Sequence, residues 1–283
     1  MTDSTLATSA RTTGPDAPAP RDALRQWVVL VSALLATAVS FIGSGAVVGT
    51  PVNEVADGAL SSSATLVAPA GPAFAIWGVI YTGLLLLALL QVLPGRRTDP
   101  RQRRVGWWVA ASLVLNAVWI LVVQAEAIAL SLVVIGALVA VLVVTVVRLG
   151  ERAPATAYER LVVDGTLGLY LGWVCIATVA NTAATLVIAG VDPVGAAAVP
   201  LTVAVLVVAA GIGVLLAVGL RGRVAPGIAL AWGLLWIAVA RTSGSPESAA
   251  VAVGAALAAA VTVLAALLVR WRRTRRRAGA ALA

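Results

Sequence analysis

Two asparagines and a handful of large aromatics carry almost all the polar chemistry inside the apolar parts of this chain. Asn116 lies in the run LVLNAVWILV and Asn181 in LYLGWVCIATVANTAATLV. A polar side chain is expensive in hydrocarbon, so one retained there has a partner or a task. The spacing groups these residues. Phe74, Trp77 and Tyr81 stand at i, i+3 and i+7, Asn116 and Trp119 at i and i+3, and Trp173, Ala177 and Asn181 at i, i+4 and i+8. Each set falls on one stripe of a helix. Indoles offer flat apolar faces and amides offer directed hydrogen bonds, so together they suit a flat, mostly apolar ligand with a few polar atoms. A packing role fits the same residues, with the two amides bonding each other or a backbone carbonyl between helices.

The elements that must position these residues are membrane spans. The 283-residue chain is 61% hydrophobic. Its apolar runs cover 27–48, 72–93, 106–124, 127–149, 161–189, 199–220, 225–240 and 248–270. Most reach the ~20 residues that cross ~30 Å of hydrocarbon. The 20 basic residues fix the threading. With the N-terminus inside, every arginine except Arg241 falls on the cytoplasmic side, as the positive-inside bias requires. Seven or nine spans scramble that alternation. The expected fold is an all-α polytopic transmembrane bundle of about eight spans, with N- and C-termini cytoplasmic. In this threading the asparagines lie roughly 12 Å below the outer surface, and Trp77 and Tyr81 roughly 8 and 14 Å below it, at ~1.5 Å per residue.

Composition narrows the function. There is no histidine, the only methionine is the first residue, and Cys175 is the single cysteine. His-based triads, His general bases, most zinc sites and the usual haem axial ligand therefore have no residues to build them. The reading is of a non-enzyme with no metal site and no resident cofactor, in which a tetrapyrrole is a ligand held by packing and polar edges. The net charge of +8 belongs to helix ends near anionic headgroups, so no nucleic-acid partner is expected. The partners expected are the lipid bilayer and a hydrophobic small molecule. Ala250, Gly254 and Ala258 permit close helix contact, within one chain or in a homo-oligomer.

Outside the spans, residues 1–26 read as a disordered cytoplasmic tail and 272–283 as a basic one. The loop 49–71 carries Glu54 and Asp57 and no basic residue, and its length suits a lid or an unstructured connector. Gln124, Ala125 and Glu126 join the third and fourth spans, which makes those two antiparallel neighbours. Asp192 and Pro193 mark a short external loop. Asp164 is expected to pair with a nearby arginine such as Arg160, four residues before it.

The motifs resemble a known family. GPAFAIWGVIYTGLLLLALLQ is similar to the second helix of the TspO/MBR family, the tryptophan-rich sensory and translocator proteins. LVLNAVWILV resembles that family's third helix, and LYLGWVCIATVANTAATLV its fifth. The resemblance covers residues 27–189, a five-helix core, and leaves 190–271 as three additional spans. It implies a tetrapyrrole-binding pocket lined by Trp77, Tyr81, Asn116, Trp119, Trp173, Ala177 and Asn181, with loop 49–71 as its cover. Two family features are absent. The tryptophan-proline segment between the first two helices is missing, and 182–198 contain no Tyr, Lys or Arg. Sterol binding through a motif there is therefore not implied.

The resulting expectation is a multi-pass protein of the bacterial inner membrane. It binds or senses a flat hydrophobic molecule such as a porphyrin, in an outward-opening pocket among the second, third and fifth spans. A small-molecule permease and a structural or assembly protein are the alternatives.

Overall fold

The computed structural model describes residues 19–43, 54–191 and 197–282. The expected N-terminal tail up to residue 18, the first part of the lid loop and the Asp192–Pro193 loop lie outside the described residues.

Among the described residues, eight helices are long and apolar enough to cross a membrane. They are α1 (Pro20–Gly43), α2 (Ile76–Val92), α3 (Pro100–Gln124), α4 (Ile128–Leu149), α5 (Thr166–Ile188), α6 (Ala198–Gly219), α7 (Val224–Ser243) and α8 (Ala249–Leu282). Hydrocarbon offers backbone groups no partner, so such segments must satisfy themselves as helices. Local signals set their ends. Pro72 opens the 3-10 turn Gly71–Ala75 that leads into α2. Pro100 begins α3, and the Asp99 carboxylate caps it by accepting from the amides of Arg101 at 2.8 Å and Gln102 at 3.1 Å.

Five helices close into a ring. α1 packs on α2 and α3, α3 on α4, α4 on α5, and α5 back on α2. α7 then docks on α5 from outside the ring, α8 packs on α7, and α6 packs mainly on α8. The α5–α7 contact is close because glycine allows it. A methyl group added at Gly172 would collide with the Pro226 carbonyl, and one at Gly168 would meet Ala225. The core combines Leu84, Leu87, Leu113, Leu138, Leu142 and Tyr170 from the ring with Leu230 and Leu234 from α7.

One end of the ring is closed by buried ion pairs. Arg101, 5% exposed, reaches Asp164 at 2.7 Å and Glu159 at 3.3 Å. Arg223 also reaches Asp164 at 2.7 Å, and Arg103 reaches Asp22 at 2.6 Å. Asp164 therefore pairs with Arg101 and Arg223, not with Arg160. The cause is local. Arg160–Gly165 forms a π-helical turn, in which the i, i+4 geometry of an α-helix does not hold.

Two further boundaries differ from the sequence reading. α1 starts at Pro20 instead of 27, with Asp22 in its first turn accepting from the Ala19 amide at 3.0 Å. α8 does not stop at the membrane edge but runs for 34 residues and absorbs the basic tail. Arginine and alanine are good helix formers, and the water-facing end of this helix is built mostly from them.

The glycine contact yields a test. Gly172→Ala should lower the thermal midpoint of the purified protein by several degrees, because overpacking costs about 1–3 kcal/mol. Gly136→Ala, where an added methyl meets open space, should leave the midpoint unchanged or raise it. Equal midpoints for the two variants would refute the close α5–α7 packing.

Candidate ligand pocket

The ring encloses a small cavity of about 50 Å³ at the end opposite the ion pairs. Its helical walls are Trp119 on α3 and Trp173, Ile176, Ala177, Ala180 and Asn181 on α5. Phe74, from the turn before α2, completes the side. Its roof is the connection between α1 and α2, through Ala59, Leu60, Thr65, Ala68 and Pro69. The expected lid thus covers the expected helices.

The seven residues singled out in the sequence divide into two layers. Trp119, Trp173, Ala177 and Asn181 line the cavity. Trp77, Tyr81 and Asn116 stand beside it and hold the wall. The Trp77 ring stacks on Tyr81 with centroids 5.2 Å apart, and meets Trp173 edge-on at 6.2 Å. Phe74 also meets Trp173 edge-on, at 5.7 Å. Edge-to-face contacts of this kind fix ring orientation as well as adding attraction.

The two amides do not bond each other. The Asn116 Nδ2 donates to the Tyr81 hydroxyl at 2.6 Å, and that hydroxyl donates to Ser40 Oγ of α1 at 2.5 Å. The Asn181 Nδ2 donates to Ser131 Oγ of α4 at 3.0 Å, and Ser131 donates onward to the Ile128 carbonyl at 2.7 Å. Each amide therefore pins α3 or α5 to a neighbouring helix and orients the wall. Sequence reasoning passed over Ser40, Ser131 and Tyr170. Tyr170 is fully buried and donates to the Ser112 carbonyl at 3.2 Å. Its place one turn before Trp173 was the available signal; a serine in an apolar helix gives no comparable one.

Three buried polar atoms of these residues have no partner among the described residues: the indole N–H groups of Trp119 and Trp173, and Asn116 Oδ1. An unsatisfied donor in a dry site costs about 1–3 kcal/mol. Here two such donors belong to residues that line one cavity. The arrangement can present two N–H donors and aromatic faces to a flat molecule that carries acceptor atoms.

The lid is fastened to α7. The Arg241 Nη2 donates to the Ser62 carbonyl at 2.5 Å, the Ala70 amide to the Trp236 carbonyl at 3.1 Å, and the Trp232 indole to the Ala73 carbonyl at 2.9 Å. Trp232 and Trp236 also contact each other edge-on at 5.6 Å. Gln124 of α3 ties down the end of α1 by donating to the Gly43 carbonyl at 2.5 Å.

These features define a multi-pass helical membrane protein whose ring of five helices holds a covered aromatic cavity. The chain matches the family described as TSPO-like protein over residues 26–268 and belongs to it. The match runs on through α6, α7 and into α8, beyond the five helices that carried the motif resemblance. No curated protein and no solved structure shows significant similarity to the chain.

The hydrogen bonds predict a contrast between two tyrosine and tryptophan variants. Tyr81→Phe removes the central hydroxyl of the Ser40–Tyr81–Asn116 chain and should cost about 1–3 kcal/mol of stability. Trp119→Phe removes an N–H that bonds nothing among the described residues and should cost less. Thermal unfolding of both variants checks the order, and a larger loss for Trp119→Phe would contradict it.

Proposed function

We propose that this protein is a binding or sensing protein for a flat hydrophobic small molecule of the tetrapyrrole class, held under the lid between α2, α3 and α5. The observation that carries the reading is the pair of unpartnered indole N–H groups, Trp119 and Trp173, on residues that line one cavity. Membership of the TSPO-like family supports the same reading. A drug-sized ligand occupies ~300–1,000 Å³, far more than the closed cavity of about 50 Å³. Binding therefore includes movement of the lid stretch, and the described structure corresponds to the closed state.

The ligand binds by contact and directed hydrogen bonds. Trp77 holds Trp173 in orientation, Trp119 and Trp173 donate to acceptor atoms at its rim, and Asn181 borders the cavity on α5. Nothing in this set supplies a nucleophile or general base, so the role proposed is binding without catalysis. The membrane proposed is a bacterial inner membrane, with the arginine-rich ends in the cytoplasm and the lid outside, in keeping with the charge bias. The Arg101–Glu159–Asp164–Arg223 cluster seals the cytoplasmic end of the ring, which favours a dead-end receptor over a permease.

Titrating the purified full-length protein with protoporphyrin and following tryptophan fluorescence tests this. Saturable quenching is expected, with Trp119→Phe and Trp173→Phe each weakening it about 5–30-fold through loss of about 1–2 kcal/mol of directed bonding. Quenching that does not saturate, or that both folded variants leave unchanged, would remove the tetrapyrrole assignment. Protoporphyrin-dependent flux across proteoliposomes would replace it with the permease.

A further inference from the structure

Beside the pocket runs a larger space, a groove of about 1530 Å³ between α5 and α6. It exists because α6 packs on α8 and only grazes α5. Cys175, Thr178, Val179 and Thr182 form its α5 wall, and Leu201 and Val205 face them from α6. The pocket residues Trp173, Ile176, Ala177, Ala180 and Asn181 occupy the opposite face of α5. One helix thus separates the two spaces over most of their height.

At the lid the separation changes character. Thr65 lines both spaces. Ala64, Leu66 and Val67 border the groove, whereas Ala68 and Pro69 border the pocket. The partition there is a single stretch of chain, residues 64–69. Its flanks are fixed to α7, by Arg241 at Ser62 and by Trp236 at Ala70. Between those posts the backbone makes local turns, Ala64 to Ser61 at 3.2 Å and Ala68 to Thr65 at 3.1 Å.

The groove lies at membrane depth. α6 has 22 residues, and its ~33 Å matches ~30 Å of hydrocarbon. Apolar side chains dominate the groove wall, so what it accepts comes from the bilayer. We propose that the ligand reaches the pocket sideways from the lipid, along this groove and past Thr65. The proposal rests on the pocket reading above and narrows it: the ligand is a flat molecule already partitioned into the bilayer, not a solute delivered from water. The outward opening expected from the sequence gives way to a lateral one, with the pinned flanks as posts and residues 64–69 as the door.

Two measurements on the full-length protein in lipid nanodiscs test this. A nitroxide on Thr178→Cys, in a Cys175→Ala background, should collide freely with dissolved oxygen and little with a water-soluble nickel chelate. Shielding from both reagents would mean that the groove is shut, and would overturn the proposal. Stopped-flow quenching by protoporphyrin is then compared for the unmodified protein, Ala198→Phe and Ala204→Phe, both groove positions outside the pocket. Bulk in the path should slow association and dissociation together, about tenfold, with Kd unchanged. Saturable binding with unaltered rates in both folded variants would overturn the lateral path and leave the pocket standing. Failure of the unmodified protein to bind protoporphyrin at all would overturn both.

Discussion

Hydrocarbon gives a polar group nothing to bond, and that one constraint organises this protein. At one end the buried Arg101 meets the carboxylates of Glu159 and Asp164, and the half-buried Arg103 meets the buried Asp22. In the middle, each amide is carried by a hydroxyl on a neighbouring helix, Asn116 through Tyr81 to Ser40 and Asn181 to Ser131. At the lid, the indoles of Trp119 and Trp173 break the rule, and they do so on the wall of a cavity. Other buried groups among the described residues also lack a partner, the Gln91 amide and Asn116 Oδ1 among them, and what sets the two indoles apart is that both line one space.

The second organising element is α5. It closes the ring by packing on α2 and α4, and it carries the pocket on one face and the groove on the other. It also receives α7 through glycine contacts at Gly168 and Gly172. α7 in turn holds the lid through Arg241, Trp232 and Trp236. The three helices outside the ring are therefore not an appendage. They brace the lid and create the groove, which agrees with a family match that extends over them.

Much of this was legible in the residues. The spans follow from apolar length, because a membrane demands ~20 residues whatever their order. The aromatic and amide stripes follow from helical period and overlapping depth. What period does not reveal is which way a stripe turns. Trp119 and Asn181 line the cavity, while Asn116, on the same stripe as Trp119, and Trp77 and Tyr81 of α2 stand beside it. Ser40 and Ser131 were silent because serine hydroxyls commonly bond their own helix. Asp164 found Arg101 and Arg223 because a π turn shifted its direction, and a sequence carries no plain mark of such a turn. The lid posts were hidden by distance along the chain, since Arg241 bonds a carbonyl 179 residues away.

α8 carries one more consequence. Its 34 residues form a single unbroken rod of ~51 Å at ~1.5 Å per residue, well beyond the thickness of the hydrocarbon. The part inside the bundle rests on α6 and α7, the helices that border the groove and hold the lid. Arg270 packs against Gly222 in the turn between α6 and α7, Arg273 donates to the Arg221 carbonyl there, and the helix beyond carries Arg272, Arg275, Arg276 and Arg277. A rigid rod pivots as a lever. A small tilt imposed where α8 touches α6 and α7 becomes a larger sweep of concentrated positive charge at the far end, with no hinge between to absorb it.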